Sequence, residues 1–189
     1  MKDKLTKYNQ KRDFKKTKEP KGEVKNSRKK LRYVIQHHLA SRDHYDLRLE
    51  WKGTLKSWAV PKGPSYNSND KRLAVEVEDH PLDYRSFEGL IPKGQYGGGT
   101  VMVWDEGYWY AQDGTSVNFD KGPIKFTLEG KKLLGNWALI KLKNDEKNQD
   151  NWLLIKEKDE YSNTNINLND YDFSTKTGRT MKEIEEDNK

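Results

Sequence analysis

From Tyr33 onward the chain keeps returning to one pattern, in which short runs of Val, Ile, Leu, Tyr and Trp alternate with polar residues and are broken by Gly, Pro, Asn and Asp. A period of two sends successive side chains to opposite faces of an extended backbone, so each run reads as a half-buried strand. Strands are predicted near 33–37, 44–51, 54–60, 72–78, 100–105, 107–111, 124–128, 137–142 and 152–157, with one helical turn at 83–87. Closing the sheet on itself is the economical way to protect so many strand edges in a short chain. The expected fold is therefore all-β, a compact antiparallel β-barrel with short flanking helical turns and polar tails.

With 32% hydrophobic and 35% charged residues, the 189 residues are too polar for all of them to share one core. The composition predicts a flexible basic arm over 1–10, a barrel domain over 11–160, and a polar, mobile tail over 161–189 with a short helical stretch at 179–186. There is no cysteine, which excludes disulfides, thiolate zinc sites, iron–sulfur clusters and a cysteine nucleophile; His, Asp and Glu are left as strong metal ligands, and there are four His. The N-terminus is charged and no run approaches the ~18 apolar residues of a membrane span, so a cytoplasmic protein with no membrane partner is expected. The net charge is +6, but the first 32 residues hold 14 Lys and Arg against four acidic residues, and the rest of the chain is net negative. Such an arm fits a polyanionic partner or a merely solvated tail.

The segment from His44 to Glu50 alternates cleanly, which on a strand sends His44, Asp46, Arg48 and Glu50 to one face and Tyr45, Leu47 and Leu49 to the core. A tight loop over 39–43 returns His38 to the same place as a third ligand, and two His with one carboxylate suit Mn, Fe or Zn. The plain alternative is a surface strand whose His and Asp are solvated. His37 has the opposite parity and is the weaker ligand candidate. Farther on, Glu78, Asp79, His80 and Pro81 close a strand and hold a histidine at its end, where it is well placed for catalysis. Lys62, Arg72 and Tyr84 add polar groups on or beside rigid turns.

Gly94 to Gly99 is not a phosphate cradle, because a strand rather than a helix follows and no Gly-Lys-Ser/Thr completes it; a hairpin or bulge is expected. G-x-S-x-G and H-E-x-x-H are both lacking, which disfavours a serine hydrolase or a zincin. The six tryptophans read as barrel core rather than a base-stacking platform.

Several of these pieces occur together, and in order the chain resembles the 3'-phosphoesterase module of bacterial DNA ligase D and its free-standing bacterial and archaeal relatives. The resemblance runs from Tyr8 to about Lys158. Its most specific parts are Lys11-Arg12-Asp13-Phe14 with Thr17, Glu19 and Pro20, then Val34 to His38, His44 to Glu50, Leu55 to Pro64, Lys71 to Ala74 and Glu78 to Tyr84, followed by Phe87 to Gly89, Ile91 to Gly97 and Trp152 to Lys156. It implies a β-barrel enzyme, dependent on Mn(II) or another divalent transition metal, that removes a 3'-terminal ribonucleoside from DNA and then the 3'-phosphate, leaving a 3'-hydroxyl. By position His38, His44 and Asp46 correspond to metal ligands, and Arg48, His80 and Tyr84 to catalytic residues at the scissile phosphate. Arg12, Asp13, Glu19, Gln36, Lys62, Arg72 and Glu78 correspond to further substrate and phosphate-binding groups. Asp43 and His37 depart from the family pattern, Asp43 standing where Leu and His37 where Lys or Glu is frequent. The implied partners are DNA 3' ends bearing a ribonucleotide or phosphate, with ligase and polymerase supplied separately.

Two other readings compete. His44, Asp46 and a distant His80 on a barrel also form the pattern of an Fe(II) oxygenase facial triad. The same basic groups suit a non-catalytic module that docks DNA ends.

Overall fold

The computed structural model describes residues 4–26, 30–143, 151–163 and 167–187. In β1 (Arg32–Leu39) and β2 (Asp43–Trp51) the alternation places Tyr33, Ile35, Tyr45, Leu47 and Leu49 in one core and turns the intervening residues away from it. The other strands are β3 (Thr54–Val60), β4 (Arg72–Pro81), β5 (Gly89–Ile91), β6 (Gly99–Ala111), β7 (Ile124–Gly130), β8 (Leu134–Lys141) and β9 (Asn151–Lys156). All pair antiparallel, in the order β1-β2-β3-β4-β9-β8-β7-β6, and β1 pairs with β6 to close eight strands into a barrel. β5 lies on β6 as a short flap. Trp58, Trp104, Trp109, Trp137 and Trp152 are buried inside, with Trp58 and Trp152 meeting edge to face at 5.8 Å, so the tryptophans are core as expected.

Two predicted strands, 100–105 and 107–111, are one continuous strand. Asp105, Glu106 and Gly107 read as turn residues, but here the Asp105 carboxylate accepts the backbone N–H of Lys131, Lys132 and Leu133 and the hydroxyl of Tyr33. A side chain at Gly107 would collide with the carbonyl of Glu129 on the neighbouring strand, so the glycine admits β7 rather than breaking β6. A register shift between Ile35 and Gln36 bends the pair at this place. β5 is only three residues long and has no periodic signal to read.

The ends carry more buried side chains than their composition suggests. Leu5 and Tyr8 of α1 (Thr6–Gln10) and its entry are fully buried, packing with Leu55 and Tyr84 in a second small cluster on the outside of the barrel wall. Tyr8 donates to the carbonyl of Pro20, and Asn9 bonds both backbone groups of Gly22, so residues 4–26 wrap that wall. At the other end α2 (Met181–Glu186) starts with a reciprocal Thr180–Glu183 capping box and sends Met181 and Ile184 into the main core. Two apolar side chains three residues apart suffice to dock a short helix, which bulk composition does not register. Residues 1–3 of the predicted arm and residues 164–166 and 188–189 of the predicted tail lie outside the described residues. Among the described residues no helix is long and apolar enough to cross a membrane.

Candidate active site

The face of β1 and β2 turned away from the core becomes the floor of a cleft of about 310 Å³, walled by the end of β4, the 3₁₀ turn Leu82–Ser86, the loop before β6 and the N-terminal arm. Antiparallel register sets His38 opposite His44 and Gln36 opposite Asp46. His38, His44 and Asp46 can each offer a ligand atom within 4.8 Å of the others. The Nε2 of His38 lies 2.8 Å from the carbonyl of Gly97, and the Nδ1 of His44 lies 2.9 Å from the carbonyl of Arg42. Each carbonyl takes the ring N–H, which leaves a lone pair on His38 Nδ1, 3.8 Å from Asp46, and on His44 Nε2, 3.6 Å from Asp46. Two imidazole lone pairs and a carboxylate facing one another are a donor set suited to a divalent transition metal. Burial alone raises the Asp46 carboxyl, but the charge of the Arg48 guanidinium leads the effects that outweigh it and hold the group well below the usual carboxylate range.

Arg48 is the hinge between this group and the rest of the cleft. Its Nε donates to Gln36 Oε1 at 2.7 Å and its Nη2 to Asp46 Oδ2 at 2.9 Å, and the guanidinium lies over the Tyr84 ring at 4.8 Å. Gln36 is itself fixed, donating to the carbonyls of Tyr84 and Phe87. The third nitrogen, Nη1, is buried in the lining of the cleft with no partner among the described residues. An unpaired buried donor costs about 1–3 kcal/mol, more when charged, and leaves Arg48 one uncommitted N–H group for an anionic acceptor.

His80 sits across the cleft. Between Leu55 and Ser57 the β3–β4 register shifts, and the extra residue in β4 lets Val77, Glu78 and His80 all line the cleft, which strict alternation forbids. The Nδ1 of His80 donates to the carbonyl of Glu78 at 2.9 Å, and its Nε2 accepts from Arg12 Nη2 at 3.3 Å. Burial, then the charges of Arg48 and Arg12, push the imidazole well below its ordinary 6.5, so it is neutral near pH 7. Arg12 is buried, its Nε 2.8 Å from Glu19, its Nη1 3.4 Å from Glu78 and its plane 3.8 Å above the Tyr8 ring. Lys11 donates to Glu78 at 2.9 Å and to the Tyr96 hydroxyl at 3.1 Å, joining the arm to the loop before β6. Burial raises the Glu78 carboxyl, and Lys11 and Arg12 more than offset that.

Of the residues singled out in the sequence, Arg12, His38, His44, Asp46, Arg48, Glu78, His80 and Tyr84 meet around the cleft, with Gln36 and Glu19 packed behind them. Asp13 is not among them: its carboxylate accepts from Lys15 N and pairs with Lys16, closing a turn at the surface. Lys62 and Arg72 line a separate groove with Pro61, Asp70, Lys71 and Leu73. Arg72 stands two residues from the core residue Ala74, on the same face of β4 and so opposite the cleft. It pairs with Asp70 at 3.0 Å while its Nε is buried without a partner among the described residues. Tyr96, Lys11 and Gly97 line or support the cleft; they fall within the family motifs but had no site role assigned from the sequence. Gly94 to Gly99 turns the chain from β5 to β6 as the hairpin reading expects, and Gly97, at φ 72°, also aims the carbonyl that orients His38.

The two departures from the family pattern are each other's partner, Asp43 Oδ1 lying 2.6 Å from His37 Nε2, with Asp172 on the other ring nitrogen at 3.1 Å and Tyr45 stacked beneath. The iron triad of His44, Asp46 and His80 is not what the fold assembles, since both nitrogens of His80 are turned to Glu78 and Arg12.

Fold and cleft together define an antiparallel barrel with a metal-type His/His/Asp group set against buried arginines on its outer wall. The DNA Ligase D 3'-phosphoesterase domain family matches residues 36–141, and the chain belongs to this family of hydrolases. It is 54% identical over 157 residues to the multifunctional non-homologous end joining protein LigD of Pseudomonas aeruginosa, covering 82% of this chain and 19% of that one. It is 42% identical over 165 residues to the protein of the same description from Mycolicibacterium smegmatis, covering 84% and 21%. To the multifunctional non-homologous end joining DNA repair protein LigD of Mycobacterium tuberculosis it is 43% identical over 152 residues, covering 80% and 19%. The chain thus spans about a fifth of the length of the curated relatives it matches.

Proposed function

We propose that the chain is a Mn(II)-dependent 3'-end-processing enzyme that removes a 3'-terminal ribonucleoside from DNA, leaving a 3'-phosphate, and then removes that phosphate to leave a 3'-hydroxyl ready for ligation. The observation that carries this reading is the unpartnered Nη1 of Arg48 beside the His38, His44 and Asp46 donors, which suits a phosphate oxygen shared between a cation and a guanidinium. His38, His44 and Asp46 would hold a divalent metal, which would supply Lewis-acid polarisation of the phosphate. Arg48, braced by Gln36 and Asp46, donates to a non-bridging oxygen and stabilises the charge that builds at phosphorus. His80, with its Nδ1–H on the carbonyl of Glu78 and its Nε2 held by Arg12, lines the cleft so that the ring and that guanidinium meet the phosphate together. Arg12, clamped by Glu19 and Glu78, holds that ring in place and adds positive charge. Tyr84 completes the phosphate-binding surroundings on this reading, Lys62 and Arg72 lie apart in a separate groove, and Asp13 supports the arm.

The test is direct. The protein is incubated with Mn(II) and two oligonucleotides, one ending in a 3'-phosphate and one in a single ribonucleotide, and oxygen uptake is followed separately with 2-oxoglutarate. Release of phosphate and ribonucleoside without oxygen uptake is expected. Binding of both oligonucleotides without turnover would make the protein a docking module.

A further inference from the structure

Tyr96 is unusual among the aromatic residues of this chain in lying at the mouth of the cleft with 47% of its surface exposed. Two cations lie against its ring, Lys11 Nζ at 4.6 Å from the centroid and Arg12 Cζ at 5.4 Å. Lys11 also holds the hydroxyl, so the ring is fixed at its edge and backed by positive charge. Tyr96 belongs to two depressions at once, the metal-type cleft and a second groove that runs past Val77 and Glu78 to Lys4, Lys7 and Lys11. Those lysines recur at the spacing of one helical face along α1 and its ends, and Lys7 has no ion-pair partner among the described residues. A nucleic-acid strand leaving the cleft along this groove passes the exposed ring before it reaches the lysines. An aromatic ring followed by spaced cations is the arrangement that holds single-stranded nucleic acid, base on ring and phosphates on lysine.

We propose that Tyr96 is the stacking platform for the base of the 3'-terminal nucleotide of the retained strand, with the strand continuing over Lys11 and Lys7. This rests on the phosphoesterase reading and adds the path of the substrate to it. Tyr96 is a binding residue, not a catalytic one: its ring lies at the rim, and its contact is with the part of the DNA that does not react.

The experiment uses the full chain loaded with Mn(II) and 3'-phosphate oligonucleotides whose terminal nucleotide carries either a natural base or none. Tyr96→Ala is expected to raise KM roughly five- to a hundredfold on the natural substrate with little change in kcat, whereas Tyr96→Phe keeps the wild-type values. The abasic substrate should cost the wild type a similar factor and cost Tyr96→Ala nothing more, because the interaction is already absent. In parallel, 2-aminopurine at the terminal position should be quenched on binding by wild type and Tyr96→Phe but not by Tyr96→Ala. An unchanged KM for Tyr96→Ala, or equal losses on natural and abasic ends, would overturn the proposal. If the wild type released no phosphate at all, the phosphoesterase reading would fail, while the quenching measurement would still decide where the base sits.

Discussion

Arg12 of the N-terminal arm donates through Nη2 to the ring of His80 at the end of β4, 3.3 Å away, so a residue from a basic segment and one from the barrel form a single unit. Two buried carboxylates, Glu19 and Glu78, hold the guanidinium there. Removing one partner of such a buried pair leaves the others uncompensated and typically costs about 3–5 kcal/mol. Arg12→Ala should therefore lower the melting temperature and turnover together. Deleting residues 1–20 should abolish turnover even at saturating DNA. Unchanged kcat with only a higher KM at low salt would instead make the arm an electrostatic tether.

His38→Ala, His44→Ala and Asp46→Ala should each weaken Mn(II) binding measured by titration of the free-ion electron paramagnetic resonance signal, and each should lose phosphate release. Asp46→Ala is expected to destabilise the fold most, since it also strips a partner from the buried Arg48 guanidinium. Metal affinity retained in all three variants would rule out this ligand set.

His80 gives the metal-free protein an acid-side weakness. Its folded pKa is pushed well below 6.5, so the unfolded chain takes up a proton first as pH falls. The stability it contributes is complete above about pH 6.5 and is lost progressively below that value. Asp46 and Glu78, also held below their ordinary values of 3.8 and 4.5, add losses only at lower pH, below about 4.5. Urea unfolding at about pH 7.5 and pH 5.5 should show a lower midpoint at the acid pH, and His80→Gln should narrow that gap. An equal gap in wild type and variant would mean another group is responsible.

The C-terminal helix is part of the core. Ile184 is fully buried and packs with the barrel interior, so Ile184→Ala should cost about 2–5 kcal/mol. Thermal denaturation gives the check, and a loss below 1 kcal/mol would mean that α2 docks only loosely.

Lys62 and Arg72 lie outside the main cleft, and Arg72 already pairs with Asp70. A phosphomonoester carries more negative charge than a diester near neutral pH, but cations in a separate groove cannot supply the difference. Lys62→Ala and Arg72→Ala are therefore expected to change 3'-phosphate removal and ribonucleoside removal by less than about threefold each, against the about ten- to a hundredfold that a lost charge-assisted contact to the phosphate would cost. Time courses on a primer ending in one ribonucleotide give both rates. Accumulation of the 3'-phosphate in either variant would place that cation at the reacting phosphate after all.

The strands were legible because a two-residue period is a local property: alternation from His44 to Glu50 is enough to separate Tyr45, Leu47 and Leu49 from Asp46 and Arg48, and the barrel follows from the number of such runs. The ligand group was legible for the same reason, since a short hairpin brings His38 beside His44 by antiparallel register alone. The family motifs brought Arg12, Glu19, Gln36 and Glu78 into view before any geometry, though not the pairing of Arg12 with His80. That pairing joins residues 68 positions apart and depends on Leu5 and Tyr8 burying themselves against the outer wall. The burial of Met181 and Ile184, the continuity of β6 through Asp105, and the turning of Arg72 away from the cleft were likewise decided by partners distant in the chain. Sequence specifies the periodic backbone and the chemical types; which faces meet, and which polar atoms such as Arg48 Nη1 are left without a partner, is set by long-range packing, because only a closed tertiary structure determines what each buried group can reach.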